Sequence, residues 1–145
     1  MSGGARVLVA TDHRRRPGAA LRCAAELAGR DGEVVLASIM VVPLAQPLDA
    51  SLARAVDEAC GVLDAAERDR GAARGGFDTR LVRARSFAEG VLATLAQEPF
   101  SSVVLEIPGG ASVDGMRAQV ELLLDRAPAD VVIVRPAPIP SGGAR

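Results

Sequence analysis

Short apolar runs alternate with longer segments of helical periodicity along the chain. Five such runs predict β-strands, and they lie at Arg6–Ala10, Glu33–Val42, Phe77–Ala84, Val103–Ile107 and Val131–Val134. Continuous runs of Val, Ile and Leu are typical of strands that are covered on both faces, as in a parallel sheet. The third run is more polar because Arg80 and Arg83 interrupt it, and this predicts an edge strand.

Apolar residues recur every three or four positions between these runs and predict four helices. The helices cover about residues 19–28, 52–70, 87–98 and 113–127. Asp49 or Ser51 is expected to cap the second helix, and Ser86 with Glu89 predicts a capping box at the start of the third. Cys23 and Cys60 fall on the apolar stripes of the first two helices and are interpreted as small core residues rather than redox centres.

The order of elements predicts an α/β fold with one doubly wound, five-stranded parallel sheet and helices on both faces. Right-handed crossovers favour the strand order 3-2-1-4-5. Residues 1–136 are expected to form one domain, and the Pro- and Gly-rich residues 137–145 a flexible tail. If the first strand is central, the segments 11–16 and 108–110 meet at the carboxyl end of the sheet, where such folds bind ligands.

Composition excludes several functional classes. The net charge is −1, all basic side chains are Arg, and there is no Trp or Tyr, so no nucleic-acid partner is predicted. The longest apolar run, Val34–Val42, is too short for membrane insertion. The segment Met1–Ala5 has no secretory h-region, and two cysteines form no disulfide framework, so the expected location is cytoplasmic.

The folded part of the chain, about Arg6–Arg135, resembles a universal stress protein domain. The resemblance lies in the opening strand Val7–Asp12 and in the closing segment Arg126–Arg135. The start of the third helix, Ala88–Leu92, is similar to the versions of this domain that are fused to amino-acid permeases. The resemblance implies a fold of the adenine nucleotide alpha hydrolase type.

The family contains members that bind nucleotides and members that do not. In the binders, residues at the end of the first strand and an apolar residue of the second strand line a pocket for adenine and ribose. By position, the resemblance places Ala10, Thr11, Asp12 and Ile39 in this pocket.

The phosphate-binding loop of the nucleotide-binding members has the form Gly-x2-Gly-x9-Gly-Ser/Thr. Here the first glycine position is Ile107 and the second is Gly110. The final pair is replaced by Arg117 and Ala118, after a gap that is about three residues too short. Backbone N–H groups that approach a phosphate closely require glycine, so most of the cradle is lost. The expectation is a degenerate loop and no cofactor. The alternative is weak binding of ATP or AMP through Gly109, Gly110 and the neighbouring arginines.

A basic loop follows the first strand and contains His13, Arg14, Arg15 and Arg16. This loop has two interpretations. One is an anion site for a phosphorylated metabolite or an acidic protein surface, and the other is a solvated loop whose charges point outward.

No catalytic or metal site is predicted. His13 is the only histidine, which excludes a histidine-based metal site or a complete Ser-His triad. Glu106 and Asp114 lie near the loop without a second carboxylate placed to form an acid/base pair. The chain is therefore not expected to be an enzyme, although weak nucleotide hydrolysis stays open as an alternative.

The last strand predicts association, because an apolar edge strand invites pairing. Val131, Val132, Ile133 and Val134 are expected to form a homodimer interface, as the resemblance also implies. The leading hypothesis is a non-catalytic, dimeric regulatory or accessory domain with a protein partner. The alternatives are a nucleotide-binding domain, a domain that binds an anion or acidic partner, and a soluble domain related to a transporter.

Overall fold

The structure is a computed structural model that describes residues 4–12, 15–49, 51–70, 76–107 and 113–136. Strands and helices alternate throughout this part of the chain. They are β1 (Arg6–Asp12), α1 (Gly18–Ala28), β2 (Glu33–Val41), α2 (Ala53–Arg70), β3 (Gly76–Ala84), α3 (Phe87–Gln97), β4 (Ser102–Glu106), α4 (Val113–Arg126) and β5 (Asp130–Val134). All the predicted elements are present. The predicted tail, residues 137–145, lies outside the described residues.

The sheet has the predicted order β3-β2-β1-β4-β5, and all neighbouring strands are parallel. β1 is central and pairs with β2 on one side and with β4 on the other. β3 and β5 form the two edges. The direction in which the chain crosses over reverses between β1 and β4, so the switch point lies where the sequence predicted it.

Alternate residues of the sheet enter two separate cores. Leu8, Val35 and Leu105 face α3 and α4, while Val7 and Leu36 face α1 and α2. Each inner strand of the sheet therefore needs apolar side chains at nearly every position. This explains why these strands are continuous apolar runs in the sequence rather than alternating ones.

The starts of α2 and α3 differ from one another in how they are capped. In α3, the Ser86 hydroxyl accepts a hydrogen bond from the backbone N–H of Glu89 at 3.2 Å, which is one of the two bonds of the predicted capping box. In α2, the Leu52 carbonyl accepts the bond from the Val56 N–H at 2.8 Å. Leu52 therefore directly precedes the helix, and the prediction that Asp49 or Ser51 occupies this position is wrong.

The two cysteines do not share the predicted environment. Cys23 is half-buried and packs against the core on the α1 and α2 side. Cys60 is exposed, because α2 turns Ala59, Leu63 and Ala66 toward the sheet and leaves the position after Ala59 on its outer side. The interpretation of Cys60 as a core residue is wrong.

Arg6 begins a network of charges at the amino end of the sheet. Its Nε donates to Glu33 Oε1 at 2.7 Å, and its Nη2 donates to Glu98 Oε1 at 2.5 Å. The guanidinium carbon also lies 4.6 Å from the centre of the Phe100 ring, which adds a cation–π contact. The first residue of β1 is therefore fixed to β2 and to the segment after α3.

Arg80 of β3 extends this network. Its Nη2 donates to both carboxylate oxygens of Glu98 at 3.2 Å, and its Nη1 donates to Asp78. The hydrogen bond from Arg6 lowers the pKa of Glu98, and the hydrogen bond from Arg80 lowers the pKa of Asp78. The network thus favours the ionised forms of Glu98 and Asp78, and it joins the edge strand β3 to the end of α3.

A tight contact between α3 and β2 predicts the effect of one substitution. A Cβ atom added at Gly90 would lie 2.7 Å from Ile39 Cγ2 and 3.2 Å from Ala84 Cβ. The expected cost of this overpacking is about 1–3 kcal/mol, which exceeds the helix-propensity gain of about 1 kcal/mol for replacing glycine by alanine. Gly90→Ala should therefore lower the free energy of unfolding, as measured by urea denaturation.

Gly61→Ala in α2 is the matched control, because a Cβ atom there would meet nothing within 4 Å. This variant should be at least as stable as the parent. Equal or greater stability of Gly90→Ala would show that the contact between α3 and β2 is looser than described.

Candidate functional site

The carboxyl ends of β1 and β4 lie side by side at the switch point. Ala10 pairs with Leu105 in the sheet, so the residues that follow each of them leave the sheet next to one another. Thr11 and Asp12 end β1, and Glu106 ends β4. This edge is the candidate site, because doubly wound folds bind ligands where the strand order reverses.

Two of the predicted adenine-contacting residues are part of the core. Ala10 is 1% exposed and Ile39 is 0% exposed, and both lie in the apolar cluster between the sheet and the α3–α4 layer. Ile39 also packs beneath Gly90 of α3. The structure brings these side chains together with Asp12, which is the register partner of Ile39. Their role toward a nucleotide stays a prediction.

Thr11 points to the opposite face of the sheet. It is 5% exposed, and its Oγ1 lies 3.5 Å from the backbone oxygen of Arg15, to which it donates. Because strand side chains alternate, Thr11 cannot share a face with Ala10 and Asp12. The predicted pocket residues are therefore adjacent in sequence but divided between the two faces.

Asp12 is tied to the basic loop that follows it. Its Oδ2 lies 3.4 Å from Nε of Arg15, and its carbonyl accepts a hydrogen bond from the Arg15 N–H at 3.2 Å. Both side chains are partly exposed, which limits the strength of the ion pair to well under about 1 kcal/mol. The charge of Arg15 is thus directed toward the chain's own carboxylate.

The other members of the basic loop are only partly described. His13 and Arg14 lie outside the described residues. Arg16 is exposed and lies at the rim of a cleft beside α2. The predicted anion site therefore remains a prediction.

Glu106 caps α1 from another element. Its Oε1 accepts a hydrogen bond from the backbone N–H of Ala20 at 2.8 Å. The residue before α1 is Pro17, which offers no side-chain cap, and the first turn of the helix contains no acidic residue. A carboxylate from the end of β4 therefore satisfies a free N–H group at this helix terminus and interacts with the positive end of the helix dipole.

Sequence reasoning missed this role of Glu106. The two partners are 86 positions apart, so no local motif joins them. Two signals were present: proline stands at the cap position of α1, and an acidic residue interrupts the otherwise apolar run of β4. Both become meaningful only when β1 and β4 are known to be neighbours.

The structure describes the residues on either side of the segment that corresponds to the phosphate loop. Gly109 and Gly110 lie outside the described residues. Ile107, at the first glycine position, is half-buried and packs against the α3–α4 core. Arg117 and Ala118 lie on the exposed surface of α4, where the family's Gly-Ser/Thr pair is expected.

No group of three or more His, Cys, Asp or Glu side chains within the described residues is placed to hold a metal ion. Among the helices of the described ranges, none is both long and apolar enough to cross a lipid bilayer.

No protein-family model and no curated protein matches this sequence. Solved structures do match it. A universal stress protein in complex with cAMP superposes with a TM-score of 0.66 at 17% identity, over 92% of this chain and 98% of that chain. A protein of the universal stress protein family from Burkholderia pseudomallei superposes with a TM-score of 0.58 at 24% identity, over 90% of this chain and 95% of that chain.

The universal stress protein UspA from Lactobacillus plantarum superposes with a TM-score of 0.61 at 18% identity, over 93% of this chain and 100% of that chain. The matched lengths are nearly complete on both sides, so the likeness concerns the whole domain rather than a shared substructure. The chain has the universal stress protein fold, as the resemblance in sequence predicted.

The cap on α1 leads to a prediction about stability. Glu106→Ala should lower the free energy of unfolding by about 0.5–2 kcal/mol, the usual cost of losing a helix cap. Glu106→Gln keeps an oxygen acceptor and should lose less than the alanine variant. Chemical denaturation of both variants measures the difference. If the two are equally stable, the hydrogen bond to Ala20 contributes nothing.

Proposed function

We propose that this chain is a non-catalytic regulatory or accessory domain of the universal stress protein type, with a degenerate nucleotide site. The position of the Glu106 carboxylate carries this proposal. It lies at the switch point, 2.8 Å from the Ala20 amide nitrogen, where it places a negative charge at the edge that a nucleotide phosphate would approach. A phosphate there would be repelled by this charge and would find the end of α1 already neutralised.

The packing of Ile107 supports the same conclusion. A phosphate cradle needs backbone N–H groups that approach the ligand closely, which glycine permits. At the first glycine position of the family loop, this chain has a β-branched side chain packed against the α3–α4 core. Freeing that position would require removing an apolar side chain from the core.

The engagement of the described acids at this edge supports a non-catalytic role. The Asp12 carboxylate faces Arg15, and the Glu106 carboxylate accepts from the Ala20 N–H. A general base must be within hydrogen-bond reach of the proton that it removes. Both acids already have partners, so they serve the fold and the loop in this proposal. A location in the cytoplasm, inferred from the sequence, completes it.

The proposal predicts the result of a nucleotide titration. Isothermal titration calorimetry of the protein with ATP, AMP or cAMP should give no saturable heat in the micromolar range. The loss of several charge-assisted hydrogen bonds of about 1.5–3 kcal/mol each would remove most of the affinity. A nucleotide-binding universal stress protein, measured under the same conditions, is the positive control. A micromolar dissociation constant for ATP would overturn the degenerate site.

The same titration, with a different ligand, tests the alternative function of an anion-binding domain. Binding of inorganic pyrophosphate that is lost when Arg14, Arg15 and Arg16 are replaced by Ser would support an anion site in the basic loop. That result would leave the degenerate nucleotide site intact, because it needs no adenine pocket.

The proposal includes a homodimer that forms through β5. β5 lies at the edge of the sheet beside β4, and Ile133 is 43% exposed there. Val131, Val132 and Val134 are half-buried, so the strand presents an apolar edge of short length. Pairing of two such edges around a twofold axis would continue the sheet across both chains.

Light scattering tests this association. At high concentration the particle mass should be twice the chain mass of 14.9 kDa. Ile133→Arg should shift the mass toward that of the monomer, because a charge would have to be buried between the strands. Leu81→Arg on the opposite edge strand, where Leu81 is also exposed, is the matched control. A monomeric parent protein would contradict the proposed dimer.

A further inference from the structure

A row of polar residues crosses the face of the sheet that carries α1 and α2. Thr11 of β1 is the register partner of Ser38 on β2, and it lies one residue beyond Ala10, which pairs with Leu105 of β4. Thr11 is therefore also level with Glu106, the residue after Leu105. The term polar row is used below for Ser38, Thr11 and Glu106, which lie side by side on three neighbouring strands.

The three side chains of the polar row share one face of the sheet. Each stands two positions after a residue of the core on the α1 and α2 side, and strand side chains alternate with a period of two. These preceding residues are Leu36, Val9 and Val104, which are themselves register partners and are 0% exposed. The polar row is thus the first polar layer beyond an apolar one, at the end of the sheet where α1 begins.

The Ser38 hydroxyl has no hydrogen-bond partner among the described residues, although its side chain is 0% exposed. Burying a hydroxyl without a hydrogen bond is unfavourable, and native proteins generally satisfy such a group with a protein atom or an ordered water. The two other members of the polar row do have partners. Glu106 accepts from the Ala20 N–H, and Thr11 donates to the Arg15 carbonyl oxygen.

Thr11 is placed to share a water molecule with Ser38. Side chains at the same level on neighbouring strands start about 4.8 Å apart. This separation exceeds the length of a direct hydrogen bond between two hydroxyls, about 2.7–2.8 Å, and suits two groups that one water joins. A hydroxyl has one donor and two acceptor positions. The Thr11 donor is directed to the Arg15 oxygen at 3.5 Å, so Thr11 is an acceptor toward Ser38.

We propose that one buried water molecule bridges the hydroxyls of Ser38 and Thr11. The water accepts a hydrogen bond from Ser38 Oγ and donates one to Thr11 Oγ1. It gives the Ser38 hydroxyl a partner, and it holds the Thr11 side chain in the rotamer that reaches Arg15. A continuous set of hydrogen bonds then runs from β2, through the water and Thr11, to the backbone of the basic loop.

Thr11 is in this proposal a positioning residue for the basic loop. Its hydroxyl fixes the backbone of Arg15 from the inner side, while the Arg15 N–H donates to the Asp12 carbonyl. This role does not depend on the proposed function, because Thr11 lies on the face of the sheet opposite Ala10 and Ile39. The proposal therefore stands or falls separately from any nucleotide titration.

Ser38→Ala distinguishes a bridged hydroxyl from an unpartnered one by the sign of its effect on stability. Loss of a bridged hydroxyl should lower the folded-to-unfolded ratio by about three- to tenfold in urea denaturation. Loss of an unpartnered hydroxyl should leave that ratio unchanged or raise it, because an unfavourable burial is removed. A Ser38→Ala protein at least as stable as the parent would therefore overturn the proposal.

Water ¹⁷O magnetic relaxation dispersion detects the bridging molecule itself, because the method reports long-lived water oxygens. The parent protein should hold one more long-lived water than Ser38→Ala. Thr94→Val is the matched control, since Thr94 is also buried and its Oγ1 donates to the Gly90 oxygen of its own helix at 2.9 Å. This control should hold as many long-lived waters as the parent. An equal number of such waters in Ser38→Ala and the parent would overturn the bridge.

The backbone ¹⁵N chemical shift of Arg15 tests the positioning role. Arg15 is joined to Ser38 only through the proposed water and Thr11, so a purely local packing role of Ser38 would leave this signal unchanged. Ser38→Ala should shift it, and Thr94→Val should not. An Arg15 signal at the same position in Ser38→Ala and the parent would overturn the positioning role of Thr11.

Discussion

The burial of β1 on both faces is the constraint on which the rest of the structure depends. β1 pairs with β2 and with β4, and its residues Val7–Ala10 are almost completely inaccessible to solvent. One set of side chains supports α1 and α2, and the other set supports α3 and α4. Because the four central residues of this strand must be apolar, its polar residues lie at its two ends, and Thr11 and Asp12 end it at the switch point.

The edge that follows is stabilised by the chain's own charges. Asp12 is joined to Arg15, and Glu106 is joined to the amide of Ala20. In a binding protein the same positive groups would be available to a ligand. In the function that we propose, the Glu106 carboxylate would take the place of an external anion. These contacts lie at the carboxyl end of the sheet, while the opposite, amino end is held by the network around Arg6 and Glu98.

The sequence was sufficient for the architecture and insufficient for the site, for one physical reason. Apolar runs and helical periodicity are local, and right-handed crossovers convert them into a single strand order. Side-chain partners are not local. The bond between Glu106 and Ala20 spans 86 positions. Strand geometry alone places Thr11 and Ala10 on opposite faces of the sheet. The close packing of Ile39 beneath α3 depends instead on Gly90, which is distant in sequence.

The two edges of the sheet differ in a way that limits growth. β3 carries Asp78, Arg80 and Arg83, whereas β5 is a row of four apolar residues after Asp130. A sheet with two apolar borders can add copies without end and form a filament. A sheet with one such border runs out of joining surface after a single addition. If two copies pair through β5 as proposed, the arginines of β3 would disfavour a further addition at the opposite edge, and the assembly would stop at two chains.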